Sequence, residues 1–153
     1  MSKWDCRYLD LARNVSEWSK DRTRVGAVVV SEAGQVVAQG YNGFPRGVAD
    51  TIDRLSDRET KLKYVVHAEM NCIYNACHSG ICLRGSSLYV HGLPVCSECA
   101  KGVIQVGVKR VVASYDMDKF KSAPHWVESG ELSKSMFREA GVECMEFTFS
   151  SLE

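Results

Sequence analysis

The chain has 153 residues, 45% of them hydrophobic, and its 19 basic and 19 acidic side chains balance to zero net charge. That length suits one compact domain over residues 1–153 with a sizeable core. The balance excludes the strong positive field of a protein that grips a long nucleic-acid backbone, so no nucleic-acid polymer is expected as partner. No stretch is apolar enough to span a membrane, and the opening Met1-Ser2-Lys3-Trp4-Asp5 lacks an apolar signal core. Seven cysteines in such a chain point to reduced thiols and a cytoplasmic location.

In chain order, Trp4, Tyr8, Leu11, Ala12, Val15 and Trp18 recur at helical spacing, which predicts an amphipathic helix of about four turns packed on a sheet. Residues 25–31 and 35–41 are β-branched, glycine-punctuated runs joined by Glu32-Ala33-Gly34, the pattern of a hairpin. An irregular loop over 40–47 follows. Residues 50–63 are highly charged and predict a surface helix or a mobile insertion. Val66, Met70, Ile73, Tyr74 and Cys77 then mark a helix whose first turn carries His67 and Glu69. Beyond it, strands over 87–91, 110–114 and 142–149 alternate with helices over 97–106 and 127–140, the second stopped by Gly141. Such alternation favours an α/β fold, a mixed sheet with parallel final strands and helices on both faces. No repeat, linker or low-complexity segment interrupts it.

The chemistry is carried by His67-Ala68-Glu69 and Pro94-Val95-Cys96-Ser97-Glu98-Cys99. One imidazole and two thiolates hold a zinc ion by three bonds and leave a fourth position for water, which favours a catalytic over a structural ion. Zinc lowers the pKa of bound water from about 16 to about 7, enough for hydrolysis at neutral pH. Glu69, two residues from His67, is the candidate proton shuttle: as a ligand it would lose that role. Both motifs fall at helix starts, where free N–H groups and the positive dipole end stabilise thiolates and other anions. The N–H near Ala68 is a candidate donor to a carbonyl oxygen of a substrate. Cys6, Cys72, Cys77, Cys82 and Cys144 have no comparable spacing and read as buried small hydrophobes. His78, His91 and His125 read as loop or core histidines. Ligands in open α/β sheets gather beyond the carboxyl ends of strands, here the loops after Tyr41, His91 and Ser114.

Together these motifs form the signature of zinc nucleobase deaminases. Over nearly its whole length the chain resembles the deoxycytidylate (dCMP) deaminases of the cytidine deaminase superfamily. The matching stretches are Ser19-Lys20-Asp21 before Val25-Gly26-Ala27-Val28-Val29-Val30, Gly40-Tyr41-Asn42-Gly43-Phe44-Pro45-Arg46-Gly47, His67-Ala68-Glu69-Met70-Asn71, Pro94-Val95-Cys96-Ser97-Glu98-Cys99 and Glu139-Ala140-Gly141-Val142. The zinc motifs specify the superfamily; the Gly-Tyr-Asn-Gly-x-Pro loop is what resembles the dCMP enzymes. The resemblance implies a three-layer α/β/α cytidine deaminase-like fold around a five-stranded mixed sheet, and zinc-dependent hydrolysis of dCMP to dUMP and ammonia, the dUMP serving dTMP synthesis.

It also implies that Asn42 hydrogen-bonds the substrate sugar and that Tyr115 lies near the nucleotide, although Asn-Gly turns and buried packing tyrosines account for the same residues. A 5′-phosphate requires a cation, and Lys20, Arg22, Arg24 and Arg46 are the candidates. Many relatives carry a second, non-catalytic zinc on cysteine and histidine residues before the H-x-E helix. Residues 48–66 contain neither, so one catalytic ion per chain is expected. The missing insert also leaves regulation by dCTP and dTTP open. A small-molecule nucleotide is the expected substrate and a homo-oligomer the expected assembly. The alternatives are another deaminase substrate (cytidine, a modified dCMP, guanine or tRNA adenosine), a non-catalytic nucleotide sensor, and a structural zinc module; the last two need no carboxylate at Glu69.

Overall fold

The computed structural model describes residues 1–149. Helix α1 (Lys3–Ser16) leads into strands β1 (Gly26–Val30) and β2 (Val36–Tyr41), and the short helices α2 (Ile52–Ser56) and α3 (Arg58–Tyr64) follow. Then come α4 (Ala68–His78), β3 (Ser87–Gly92), α5 (Ser97–Gln105), β4 (Arg110–Asp116), α6 (Met117–Lys121), α7 (Pro124–Ala140) and β5 (Glu143–Phe149). The five strands form one sheet in the order β2-β1-β3-β4-β5. The hairpin partner β2 and strand β3 flank β1 antiparallel, while β3-β4 and β4-β5 run parallel through helical crossovers. This is the expected mixed five-stranded sheet. No described helix is long and apolar enough to cross a membrane.

Alternation along the strands divides the core between the two faces. Val28, Val30, Tyr89 and Val112 meet α1 through Leu9, Ala12 and Val15. Ala27, Val29, Leu88, Val90, Val111 and Ala113 point to the other face, where Cys72, Ala76, Ala100, Val103 and Phe137 of α4, α5 and α7 cover them. Helix α1 lies close because Gly26 has no side chain: a Cβ there would stand 2.1 Å from the Ala12 carbonyl oxygen.

The apolar face of α1 is rotated from the expected one. Trp4 and Leu11 are exposed, and Trp18 lies beyond the helix end, also exposed. Asp5 is buried instead, because Arg110 grips it with two nitrogens at 2.7 and 3.2 Å while Tyr89 donates its hydroxyl at 2.9 Å. Asp5 also closes a capping box with Ser2. The tryptophan keeps apolar company on the outside, stacking on Tyr8 under the Arg7 guanidinium. Two boundaries also differ from expectation. Asp116 caps the unforeseen α6 through the Asp118 and Lys119 N–H groups, and Pro124 starts α7 earlier than residue 127, as suits its fixed φ. The charged 50–63 segment is two short helices that bury no residue.

Candidate active site

Gly26 pairs with Tyr41 on one side and His91 on the other, so the chain leaves β2 and β3 at the same end of the sheet. The loop after β2 is tied to the entry of α4 by two hydrogen bonds between Gly43 and Val66, 3.1 and 2.8 Å long. Asn71 holds the same junction, donating its amide to the Tyr41 carbonyl at 2.8 Å. Helix α4 runs tight against β2 because Gly40 lacks a Cβ, which would sit 2.4 Å from the Cys72 nitrogen. His67 is therefore delivered as the N-cap of α4, and beyond β3 Pro94 and Val95 deliver Cys96 as the N-cap of α5.

The Nδ1 atom of His67 lies 3.4 Å from the sulfurs of both Cys96 and Cys99. All three donor atoms fall within 4.8 Å of one another. Tetrahedral zinc with bonds of about 2.0 Å to nitrogen and about 2.3 Å to sulfur sets those atoms about 3.5 Å apart, so the donor set fits the ion. The start of α5 also feeds a sulfur: the Cys99 N–H donates to Cys96 Sγ at 3.4 Å. Contact with Cys99 and with His67 lowers the Cys96 thiol, whereas the same contact and burial raise Cys99; a bound metal takes both sulfurs as thiolates. The Cys96 contact raises His67, with burial acting against it.

Glu69, in the first turn of α4, is buried beside this trio and is no member of it. Burial pushes its carboxyl up to about 7, against the pull of its own N–H and of His67. A carboxyl near neutrality both takes and gives protons at working pH. Ala68 is fully buried at the first helical position, so its N–H has no intrahelical acceptor.

The other expected site residues divide. Asn42 is buried at the loop, where its Oδ1 accepts from the Val25 N–H at 2.9 Å and its Nδ2 donates to the Thr23 carbonyl at 2.7 Å. One amide hydrogen and one oxygen lone pair remain for a ligand. Tyr115 is buried against Phe120 and donates its hydroxyl to Glu146 at 2.9 Å. Among the cations, Lys20 pairs with Asp50 at 2.8 Å and Arg46 donates to Asn75 on α4. Arg22 and Arg24 are exposed on the segment that Asn42 holds. Of the five remaining cysteines, only Cys72 is fully buried; Cys6, Cys77 and Cys82 are exposed, correcting the expectation of small buried hydrophobes.

Two residues of α7 join the site without having been foreseen. The Trp126 ring lies 6.0 Å from the His67 ring, and Ser129 accepts the first N–H of α5 from Ser97 at 2.8 Å. They stand three positions apart, one helical turn, but nothing in the sequence links α7 to the metal motifs.

Residues 2–115 match the family model described as the cytidine and deoxycytidylate deaminase zinc-binding region. The chain belongs to that family. It is a zinc-dependent deaminase, and the paired motifs already quoted fall within the matched region. Among relatives, it is 38% identical over 144 residues to a deaminase of the luxG 3′ region in Aliivibrio fischeri, covering 94% of this chain and 92% of that one. It is 34% identical over 151 residues to the human deoxycytidylate deaminase, covering 95% and 80%. The fold superposes on the dCMP deaminase of cyanophage S-TIM5 in complex with dCMP and dUMP, with a TM-score of 0.73 at 26% identity, over 96% of this chain and 99% of that one.

Proposed function

We infer that this deaminase converts dCMP and water into dUMP and ammonia. One observation carries the chemistry: a buried carboxyl, Glu69, standing beside a three-donor zinc site without being one of its donors. The substrate is supported by the deoxycytidylate deaminases among its relatives and by the S-TIM5 enzyme, whose complex holds dCMP and dUMP.

Bound zinc supplies a nucleophile of hydroxide strength from water at neutral pH. The remaining work falls to the chain. Glu69 takes a proton from the attacking water and passes it to ring N3 as the water oxygen bonds to C4; it then takes the remaining proton of that oxygen and delivers it to the 4-amino group, so that the C4–N4 bond breaks, ammonia leaves and the oxygen stays as the C4 carbonyl. The Ala68 N–H is positioned at the helix start to donate to the pyrimidine O2. Asn42, anchored to the 23–25 backbone, offers its free donor and acceptor to the sugar. Tyr115 acts from the core through its packing on Phe120 and its bond to Glu146.

For the 5′-phosphate we favour Arg22 and Arg24 over Lys20 and Arg46, because the latter two already have Asp50 and Asn75 as partners. The two arginines offer forked, permanently charged donors suited to phosphate oxygens. We further infer a cytoplasmic enzyme, where thiol ligands stay reduced, and a homo-oligomer that covers exposed apolar side chains such as Ile52 and Leu62. Sedimentation of the zinc-loaded protein as a monomer at micromolar concentration would contradict the assembly.

The direct test is ammonia release from dCMP, CMP, deoxycytidine, cytidine, dCTP and guanine in parallel. Turnover concentrated on dCMP is expected. A preference for deoxycytidine over dCMP would remove the phosphate from the reading, and turnover of guanine alone would replace the substrate.

A further inference from the structure

The 19–25 segment has no secondary structure of its own, yet its polar groups are tied down one by one. Ser19 donates its hydroxyl to the Asn42 carbonyl at 2.8 Å and accepts the Asp21 N–H at 3.2 Å. Asp21 Oδ1 accepts the Thr23 N–H at 3.0 Å, and Asn42 takes the next carbonyl and N–H, those of Thr23 and Val25. Ser19, Asp21 and Asn42 are all buried, while Arg22 and Arg24 between them point out to solvent. From outside the two loops the clasp is also held by Lys61 on α3, whose ammonium lies 2.9 Å from Asp21 with side-chain exposures of 18% and 7%.

That contact gives the charged 52–64 segment a task. Helices α2 and α3 bury no residue, so hydrophobic packing holds them weakly. Tyr64 stacks on Phe44, and Val65–Val66 leads directly to the Gly43 bridge and His67. The shielded ion pair thus joins α3, which leads into the metal motif, to the loop that presents the arginines.

We propose that Lys61 and Asp21 form a latch that positions Arg22 and Arg24 for the 5′-phosphate of the substrate. Lys61 is a positioning residue: it acts through Asp21 and the 21–25 backbone and touches no reacting atom. Preorganisation of this kind removes an ordering cost from substrate binding, so its loss raises KM for the phosphorylated substrate and leaves the proton chemistry of Glu69 alone. The proposal rests on the dCMP reading and on the choice of the two arginines within it.

The test compares the zinc-loaded wild-type protein with Lys61→Met, Lys61→Arg and Lys63→Met. The last removes an exposed pair with Glu59 on the same helix and serves as control. Two readouts are taken: kcat and KM for dCMP and deoxycytidine, and backbone hydrogen exchange of residues 21–25. Lys61→Met is expected to raise KM for dCMP about tenfold with kcat within about twofold, to shift deoxycytidine by less than about twofold, and to speed exchange at Thr23 and Val25. Lys61→Arg restores most of both, and Lys63→Met changes neither.

Unchanged exchange at 21–25 in Lys61→Met overturns the latch. So do equal losses on dCMP and deoxycytidine, the mark of general destabilisation. Should Lys61→Met not fold, Lys61→Arg with the wild-type preference for dCMP and wild-type exchange supports the latch, and loss of either overturns it. A wild-type protein inactive on dCMP defeats the substrate reading separately, and the phosphate task of the latch with it, because the exchange readout needs no turnover.

Discussion

Glu69 combines burial, a place beside His67 and freedom from the donor trio, and each property is separately testable. Glu69→Gln keeps shape and burial but cannot move a proton. Zinc content is expected to stay at the wild-type level while kcat falls by about 10²–10⁴-fold, the usual worth of positioned acid–base catalysis. Cys99→Ala should behave differently, because it removes a metal ligand and the partner of Cys96: metal analysis would find little zinc, and the melting temperature would drop. Asp5 carries a prediction about folding alone. The Arg110 guanidinium holds its carboxyl well below the ordinary carboxylate range. A depressed folded-state pKa adds stability that is complete above the unfolded value of about 3.9 and is lost as pH falls below it. Asp5→Asn, which strands the half-buried Arg110, should cost about 2–4 kcal/mol at pH 7 and flatten the pH dependence of the urea midpoint between about pH 2 and 5. A variant with the wild-type acid limb would contradict the assignment.

At the scale of elements, the metal site depends on how closely α4 approaches β2. A Cβ on Gly40 would meet the backbone of α4 at Cys72 and Ala68, one of them adjacent to His67. Gly40→Ala should therefore destabilise by about 1–3 kcal/mol and weaken zinc retention against a chelator as well. The equivalent change at Gly26, which crowds α1, should destabilise without affecting zinc retention. These close approaches were not visible beforehand, because a glycine in a strand looks the same whether it faces solvent or another backbone. The two zinc helices, the hairpin and the parallel strands were legible from their local periods, helped at the hairpin by Glu32-Ala33-Gly34 and at the end of α7 by Gly141. The face of α1 departs from its periodicity for a physical reason: the spacing scores Trp4 and Leu11 as core and Asp5 as surface, and the long-range Arg110 partner reverses that order. Trp126 and Ser129 escaped for the same reason, their roles existing only after α7 has folded back on α5.

For the whole molecule, zinc is the joint between two helix starts that different parts of the chain supply. Ligand binding to the native state adds stability that grows with the logarithm of free metal, so stripping the ion should lower the melting temperature and restoring zinc should recover it. Acid should weaken retention, since protons compete for the imidazole and both sulfurs. The chemistry of the site was readable from His67, Glu69, Cys96 and Cys99 in two motifs. The phosphate contacts were not, because the sequence offers four equivalent cations; in the fold Lys20 pairs with Asp50 and Arg46 with Asn75. Function depends on a proton-moving carboxyl beside a three-ligand zinc, acting on dCMP. The measurement that addresses it most directly is dUMP formation from dCMP by wild-type and Glu69→Gln proteins of matched zinc content. Rapid turnover by the first and near silence from the second is the predicted result; comparable rates, or no dUMP from either with zinc bound, would contradict it.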